Sequence, residues 1–273
     1  MKSIIVPVDF SEQSKYALQV AAAVASKGNA ELLVLHMLEL APAILTESGY
    51  IPEVKMVHLM KMVERRFNEF LNEPYLRGLK VTPIIKHYKV FSEIEEVAKK
   101  HDSGLVVMGS HGTDGLREIF IGSNTERVVR NSEIPVLVVK GELKDFKPER
   151  MVFACDFTPE NLDAIAEAVA FAKMLGAEIE MVYINTPGDA FLSNDAIYKR
   201  ISKTMHLAKL GLEVAIYNDY TVENGILNYA EKNAADLIGI PTHGRKGLSH
   251  IFMGSIGEDV ANHSTKPVVT FKI

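Results

Sequence analysis

The feature that most constrains this chain is that it is written twice. The run "IIVPVDFSEQSKYALQVAAAVASKGNAELLVLHML" from Ile4 aligns with "MVFACDFTPENLDAIAEAVAFAKMLGAEIEMVYIN" from Met151, pairing Asp9 with Asp156, Phe10 with Phe157 and Ser11 with Thr158 at an offset of 147 residues. Later, "MGSHGTDGLREIFIGSNTERVVRNSEIPVLVV", Met108 to Val139, is echoed by "GIPTHGRKGLSHIFMGSIGEDVANHSTKPVVTF", where Gly122 and Gly254 are 132 residues apart. Copy two has therefore lost 15 residues between the two phrases. Copy one holds the amphipathic "VKMVHLMKMVERRFNEFL" there, and copy two a shorter helical pattern around Ala196 to Ala208. A period of this size is a domain, too long for a solenoid repeat, and 273 residues suit two cores better than one. The polar, proline-interrupted "GELKDFKPE", Gly141 to Glu149, reads as the connection. The expected domains are 1–141 and 148–273.

Within copy one the candidate strands are "SIIVPV", "ELLVLHML", "KVTPIIK", "GLVVMG" and "IPVLVVK". Their apolar runs are continuous rather than alternating, which indicates strands buried on both faces, hence a parallel sheet covered by helices. The first helix carries Leu18, Ala21, Ala22 and Ala25 on one stripe, and copy two repeats it with Ile165, Ala168, Val169 and Ala172. Ser11 is placed to cap that helix, and Thr158, followed by Pro159, to cap its counterpart. The fold class is α/β: two tandem doubly wound domains of about five strands each.

Composition narrows the function. A net charge of −5 with no clustered Lys/Arg run, and scattered aromatics without Trp, argue against a nucleic-acid partner. No apolar stretch is long enough for a bilayer, and "MKSIIVPVDF" reaches Asp9 too early for a signal peptide; a cytoplasmic protein is expected. The one cysteine, Cys155, cannot form an internal disulfide and reads as a small buried residue at a strand end. The histidines show no pair at metal-ligand spacing. His111 and His243 have no Ser or Cys nucleophile spaced to partner them, so no catalytic residue is assigned. The methionines of "KMVHLMKMV" read as fillers of a core or an interface.

In an open α/β sheet, ligands gather beyond the carboxyl ends of the strands where strand order reverses. Asp9 ends the first strand and Gly109 the fourth. Gly109 and Gly112 allow close backbone approach, while Gly122-Ser123 precedes the helical "NTERVVRN", whose first N–H groups lack partners and make an anion site. The loop between Gly112 and Gly122 is long enough to turn both glycines towards one phosphate. Taken singly, such glycines serve turns and caps, and Asp9 and Asp156 are equally suited to closing the turn after their strands.

These motifs, "VPVDFSEQSKYAL", Gly-x2-Gly-x9-Gly-Ser after a strand, and "IPVLVV", with "CDFTPEN", "THGRKGLS", "MGS" and "KPVVTF" in copy two, resemble the universal stress protein family in a tandem form, over nearly the whole chain. The resemblance implies an adenine nucleotide alpha hydrolase-like sheet in the order 3-2-1-4-5 in each half, its switch point between strands one and four. It implies ATP, ADP or AMP as ligand, with Mg2+ as an accompanying ion. Pro7, Val8 and Asp9 would line the adenosine side, Asp9 near the ribose or a phosphate-bound metal, and Met37 the adenine edge. Gly109, Gly112, Gly122, Ser123 and Asn124 would hold ribose and phosphates. Thr113 departs from the family's usual basic residue and Asn124 from its usual small apolar one. In copy two Asp156, Gly244, Gly254 and Ser255 match and Arg245 supplies the basic residue, but Pro241 replaces the first glycine, removing an N–H and fixing φ.

The expectation is a nucleotide-binding regulatory protein of the stress response without strong catalysis, copy one being the better site. A slow ATP hydrolase is one rival, although no Gly-Lys-Ser/Thr P-loop is present; a nucleotide-free scaffold is the other. "IPVLVVK" and "KPVVTFK" would be edge strands through which the halves satisfy each other as a pseudo-dimer, with a further homodimer left open.

Overall fold

The computed structural model describes residues 1–38, 53–86, 90–110, 122–242 and 253–273, apart from the side chains of 53–56 and 253–255. In the first half, β1 (Ser3–Val8), α1 (Glu12–Gly28), β2 (Glu31–Met37), α2 (Glu53–Phe70), β3 (Val81–Lys86), α3 (Val90–His101), β4 (Ser103–Gly109), α4 (Ser123–Asn131) and β5 (Val136–Val139) follow one another. The second half repeats the series as β6 (Arg150–Ala154), α5 (Leu162–Leu175), β7 (Glu178–Asn185), α6 (Asn194–Ala208), β8 (Val214–Asn218), α7 (Val222–Lys232), β9 (Leu237–Thr242), α8 (Met253–His263) and β10 (Val268–Lys272).

The strands form one ten-stranded sheet in the order β3-β2-β1-β4-β5-β10-β9-β6-β7-β8. Each half therefore has the order 3-2-1-4-5 and is parallel within itself. The halves join where β5 and β10 pair antiparallel, Val138 opposite Val268 and Val136 opposite Thr270. In isolation each half would end on a largely apolar strand with an open edge, a template for aggregation. Joining makes both strands central, and all four β5 residues are buried. The outer edges differ in character: β3 carries Pro83, which has no N–H to offer a further strand.

The expectation of one core per half gives way to a different partition. One core, beneath α1, α2, α5 and α6, runs across both halves on one face of the sheet, joining Ile4, Leu18 and Phe67 to Phe153, Phe171 and Phe271. The other, beneath α3, α4, α7 and α8, joins Ile5, Ile94 and Val128 to Val152, Tyr229 and Val260. Of the stripes read from the sequence, Leu18, Ala21, Ala22, Ala25, Ile165, Ala168 and Ala172 are buried, and Val169 is partly buried. The methionines of α2 divide: Met60 packs on the core, whereas Met62 is 52% exposed. Between β5 and β6, Gly141–Glu149 contains no helix or strand, yet Leu143 and Phe146 dock on the core and Gln19 donates to the Lys144 carbonyl at 3.0 Å.

Helix starts follow the expectation in copy one and depart from it in copy two. Ser11 accepts from the Ser14 N–H at 3.2 Å and caps α1. Thr158 caps nothing with its side chain: Pro159–Asn161 form a 3-10 turn and α5 begins only at Leu162. Its hydroxyl is held by Asp156, whose Oδ1 lies 3.0 Å away. The second glycine phrase also shifts. Gly254 and Ser255 fall inside the first turn of α8, not before it, because that helix starts at Met253.

Candidate functional site

Strands β1 and β4 are neighbours while their helices α1 and α4 lie on opposite faces, so their carboxyl ends form the switch point of the first half. Pro7, Val8 and Asp9 stand at the end of β1, Met37 at the end of β2, and Gly109 at the end of β4. Asp9 Oδ1 accepts from the Ser11 N–H at 3.0 Å and from the Ser11 hydroxyl at 2.5 Å. Asp156 does the same at the end of β6, taking the Thr158 N–H at 3.0 Å and Asn161 Nδ2 at 2.6 Å. Both aspartates thus close the turn after their strand, the structural role the sequence allowed.

Those turns contain a feature that sequence reading missed. Phe10 and Phe157 occupy the left-handed region, φ 64° and φ 52°, in equivalent positions. For a bulky side chain this costs about 1–2 kcal/mol, offset by what the turn does with the ring. Phe10 packs on His36 with ring centroids 4.4 Å apart and edge-on to Phe67 and Phe70, and the Arg66 guanidinium lies 5.6 Å over it. His36 Nδ1 in turn sits 2.8 Å from the Val8 carbonyl, tying β2 to the end of β1. Phe157 is fully buried, and its carbonyl accepts from the Thr204 hydroxyl. The repeated Asp-Phe-Ser/Thr was the available signal.

The glycine phrase folds into a closed neck. Gly122 N–H donates to the Ser110 carbonyl at 2.6 Å, Ser110 N–H to Val139 at 2.9 Å, and the Thr125 hydroxyl to the Gly109 carbonyl at 3.0 Å. These bonds bring the end of β4 at Gly109 and the start of α4 at Gly122 together; the expected approach of Gly112 to Gly122 falls outside the described residues. Gly122 is the N-cap of α4 and offers no capping side chain; Ser123 and Asn124 are exposed in its first turn. Gly112, Thr113, Gly244, Arg245, His111 and His243 lie outside the described residues, as does the side chain of Ser255.

Gly109 itself has a packing reason. A Cβ there would stand 2.8 Å from the Gln13 carbonyl oxygen, so the first turn of α1 requires glycine at this point. Pro241, its counterpart, is buried in β9 and pairs with Phe271. The helix after β6 opens as the Pro159–Asn161 3-10 turn, where copy one has the regular first turn of α1. Gln13 Oε1 and Asn161 Oδ1, on these two first turns, are buried acceptors without a partner among the described residues. Cys155 is partly buried beside the turn of copy two, and burial pushes its thiol pKa up. Among the described residues no three His, Cys, Asp or Glu side chains gather as a metal site, and no helix is long and apolar enough to cross a membrane.

The profile of the universal stress protein family matches residues 1–140 and again 148–272. The chain belongs to the universal stress protein family. Its tandem form is shared by a universal stress protein of Synechocystis, 24% identical over all of both chains. A single-unit relative from Methanocaldococcus jannaschii is 30% identical, covering 53% of this chain and 85% of its own. The crystal structure of a universal stress protein from Archaeoglobus fulgidus superposes with a TM-score of 0.76 at 22% identity, over 99% of this chain and 98% of that one, a likeness of fold. Universal stress proteins commonly bind nucleotides.

Proposed function

We propose that this tandem universal stress protein is a nucleotide-binding regulatory module of the stress response that works in the cytoplasm without strong catalysis, and that its first half holds the better adenine-nucleotide site. The observation that carries the reading is the closed neck between Gly109 and Gly122. It sets the first turn of α4, uncapped by any side chain of Gly122, at the carboxyl ends of β1 and β4. Unpaired N–H groups at a helix start, with the partial positive charge of the dipole, favour a phosphate. Ser123 and Asn124 are exposed there. Gln13 Oε1, a buried acceptor close to Gly109, suits a ribose hydroxyl or an amino group.

The second half is the weaker site for a physical reason. Pro241 removes one donor at the strand end, and α8 takes Gly254 into its first turn instead of using it as a bare cap. ATP, ADP or AMP would be held by α4 and the β1 turn, with Asp9 at the strand end near an accompanying Mg2+. The output assigned is a change of conformation or of partner affinity.

Equilibrium titration of the full chain with ATP, ADP and AMP tests the reading. One saturable site of higher affinity is expected, weakened at least tenfold by Gly122→Val. Absence of saturable binding, or identical binding by the variant, overturns it.

A further inference from the structure

We propose that the second half carries a phosphate-binding groove between α6 and the turn that follows β6. The groove has a volume of about 330 Å3 and is lined by Phe157, Thr158, Pro159 and one face of α6. That face is Ala196, Lys199, Arg200, Lys203 and Thr204, the spacing of a single helical stripe.

Three cations on one stripe of a chain of net charge −5 are not an average surface. None of the three is joined to a carboxylate by an ion pair among the described residues, whereas Lys2, Lys15, Lys80, Lys86 and Arg130 all are. Like charges three and four residues apart repel, so the free stripe holds electrostatic energy that an anion relieves. Of the carboxylates near the groove, which include Glu160 and Asp195, Asp156 has its Oδ1 taken by the Thr158 N–H, the Thr158 hydroxyl and Asn161, and neither Glu160 nor Asp195 forms a salt bridge with the three cations among the described residues. Burial pushes the Tyr183 hydroxyl up in pKa, opposed by the charge of Arg200 and supported by that of Asp156.

Copy one fills the corresponding space differently. There Phe67 and Phe70 of α2 press their edges against Phe10, with Arg66 alone above the ring. In copy two the residue of the helix that touches the equivalent phenylalanine is Thr204, bonded to the Phe157 carbonyl. A small hydroxyl in place of an aromatic plug leaves the groove open.

The ligand chemistry follows from the lining. Two lysines and an arginine, with Pro159 and Ala196 as an apolar wall, suit a doubly charged phosphate, free or on a small organic body. The groove adjoins the turn that follows β6 and opens on the side of α6, on the opposite face of the sheet from α8, whose first turn is the phosphate end of the nucleotide reading in this half.

The test is calorimetric titration of the full chain with pyrophosphate and, separately, with ribose 5-phosphate at low and at high salt. One of the two binding saturably, with affinity falling as salt rises, is expected; the tighter of the two identifies the source. Lys199→Ala/Lys203→Ala should weaken it about tenfold or more, while Gly122→Val leaves it unchanged. Circular dichroism melting of the double variant checks that it folds, and Arg200→Gln gives an independent loss. No saturable binding of either probe, equal affinity in the double variant, or loss of binding in Gly122→Val would overturn the proposal. The last outcome would assign the phosphate to the nucleotide site, so this proposal and the nucleotide reading fail separately.

Discussion

Replacing Gly109 by alanine places a methyl group 2.8 Å from the Gln13 carbonyl oxygen, 2.9 Å from its carbon and 3.1 Å from Gln13 Cβ. Two of these contacts are with backbone, so no rotamer change relieves them. The backbone is also pinned, since Ser11 caps the same turn and Asp9 holds Ser11. Overpacking of this kind costs about 1–3 kcal/mol, and an immovable neighbour puts it near the upper end. The entropy gained by removing a glycine from the unfolded chain returns about 0.4–1 kcal/mol, which leaves a net loss of about 2 kcal/mol. For units of this size that lowers Tm by about 4–8 °C. The assay is thermal and urea denaturation of the protein without nucleotide. Gly211→Ala is the control, since its Cβ would meet nothing within 4 Å; it should be neutral or slightly stabilising. If Gly109→Ala leaves stability within about 0.5 kcal/mol of the parent and lowers only nucleotide affinity, the packing argument is wrong and the glycine exists for the ligand.

Other consequences concern the seam and the caps. Arg130 on α4 makes a bidentate pair with Glu258 on α8, both contacts at 2.5 Å, the carboxylate side chain being 8% exposed; Arg130→Ala should cost about 1–3 kcal/mol by leaving that carboxylate unpaired, and a double-mutant cycle with Glu258→Gln should show favourable coupling between the two copies, a null result denying it. Ser11→Ala removes the cap of α1 and a donor to Asp9, for an expected loss of about 1 kcal/mol, read by urea denaturation. Lys140, pushed down to about 8 by burial while donating to the Asn262 carbonyl at 2.9 Å, gives a pH signature. Between pH 8 and the ordinary lysine value of 10.5 the unfolded state binds more protons than the folded one, so this residue makes stability rise with pH across that window. The rise is about 1–3 kcal/mol, and Lys140→Met should abolish it in urea melts at stepped pH; an unchanged rise in the variant refutes the assignment.

Much of this protein is legible because its signals are local or repeated. The continuous apolar runs "SIIVPV" and "GLVVMG" lie in strands within one or two residues of where they were read, since burial on both faces leaves them no polar register to slip into. The stripe of Leu18, Ala21, Ala22 and Ala25 is a helix face for the same reason. The duplicated "DF" and glycine phrases mark strand ends in both halves because a turn between a parallel strand and its helix demands particular residues at fixed spacing.

What only the tertiary structure decided are relations between distant residues. That β5 and β10 pair, turning two five-stranded sheets into one, depends on two separately written apolar edges finding each other. That Gly109 is required by Gln13 depends on the approach of a helix to a strand over 90 residues away in the chain, a distance no sequence period records. The left-handed φ of Phe10 and Phe157 has no composition signal either, since phenylalanine avoids that region unless its surroundings hold it there. Sequence determines which segments are strands and helices, because that choice is made by neighbours along the chain; packing determines which of their ends become a site, because that choice is made by neighbours in space.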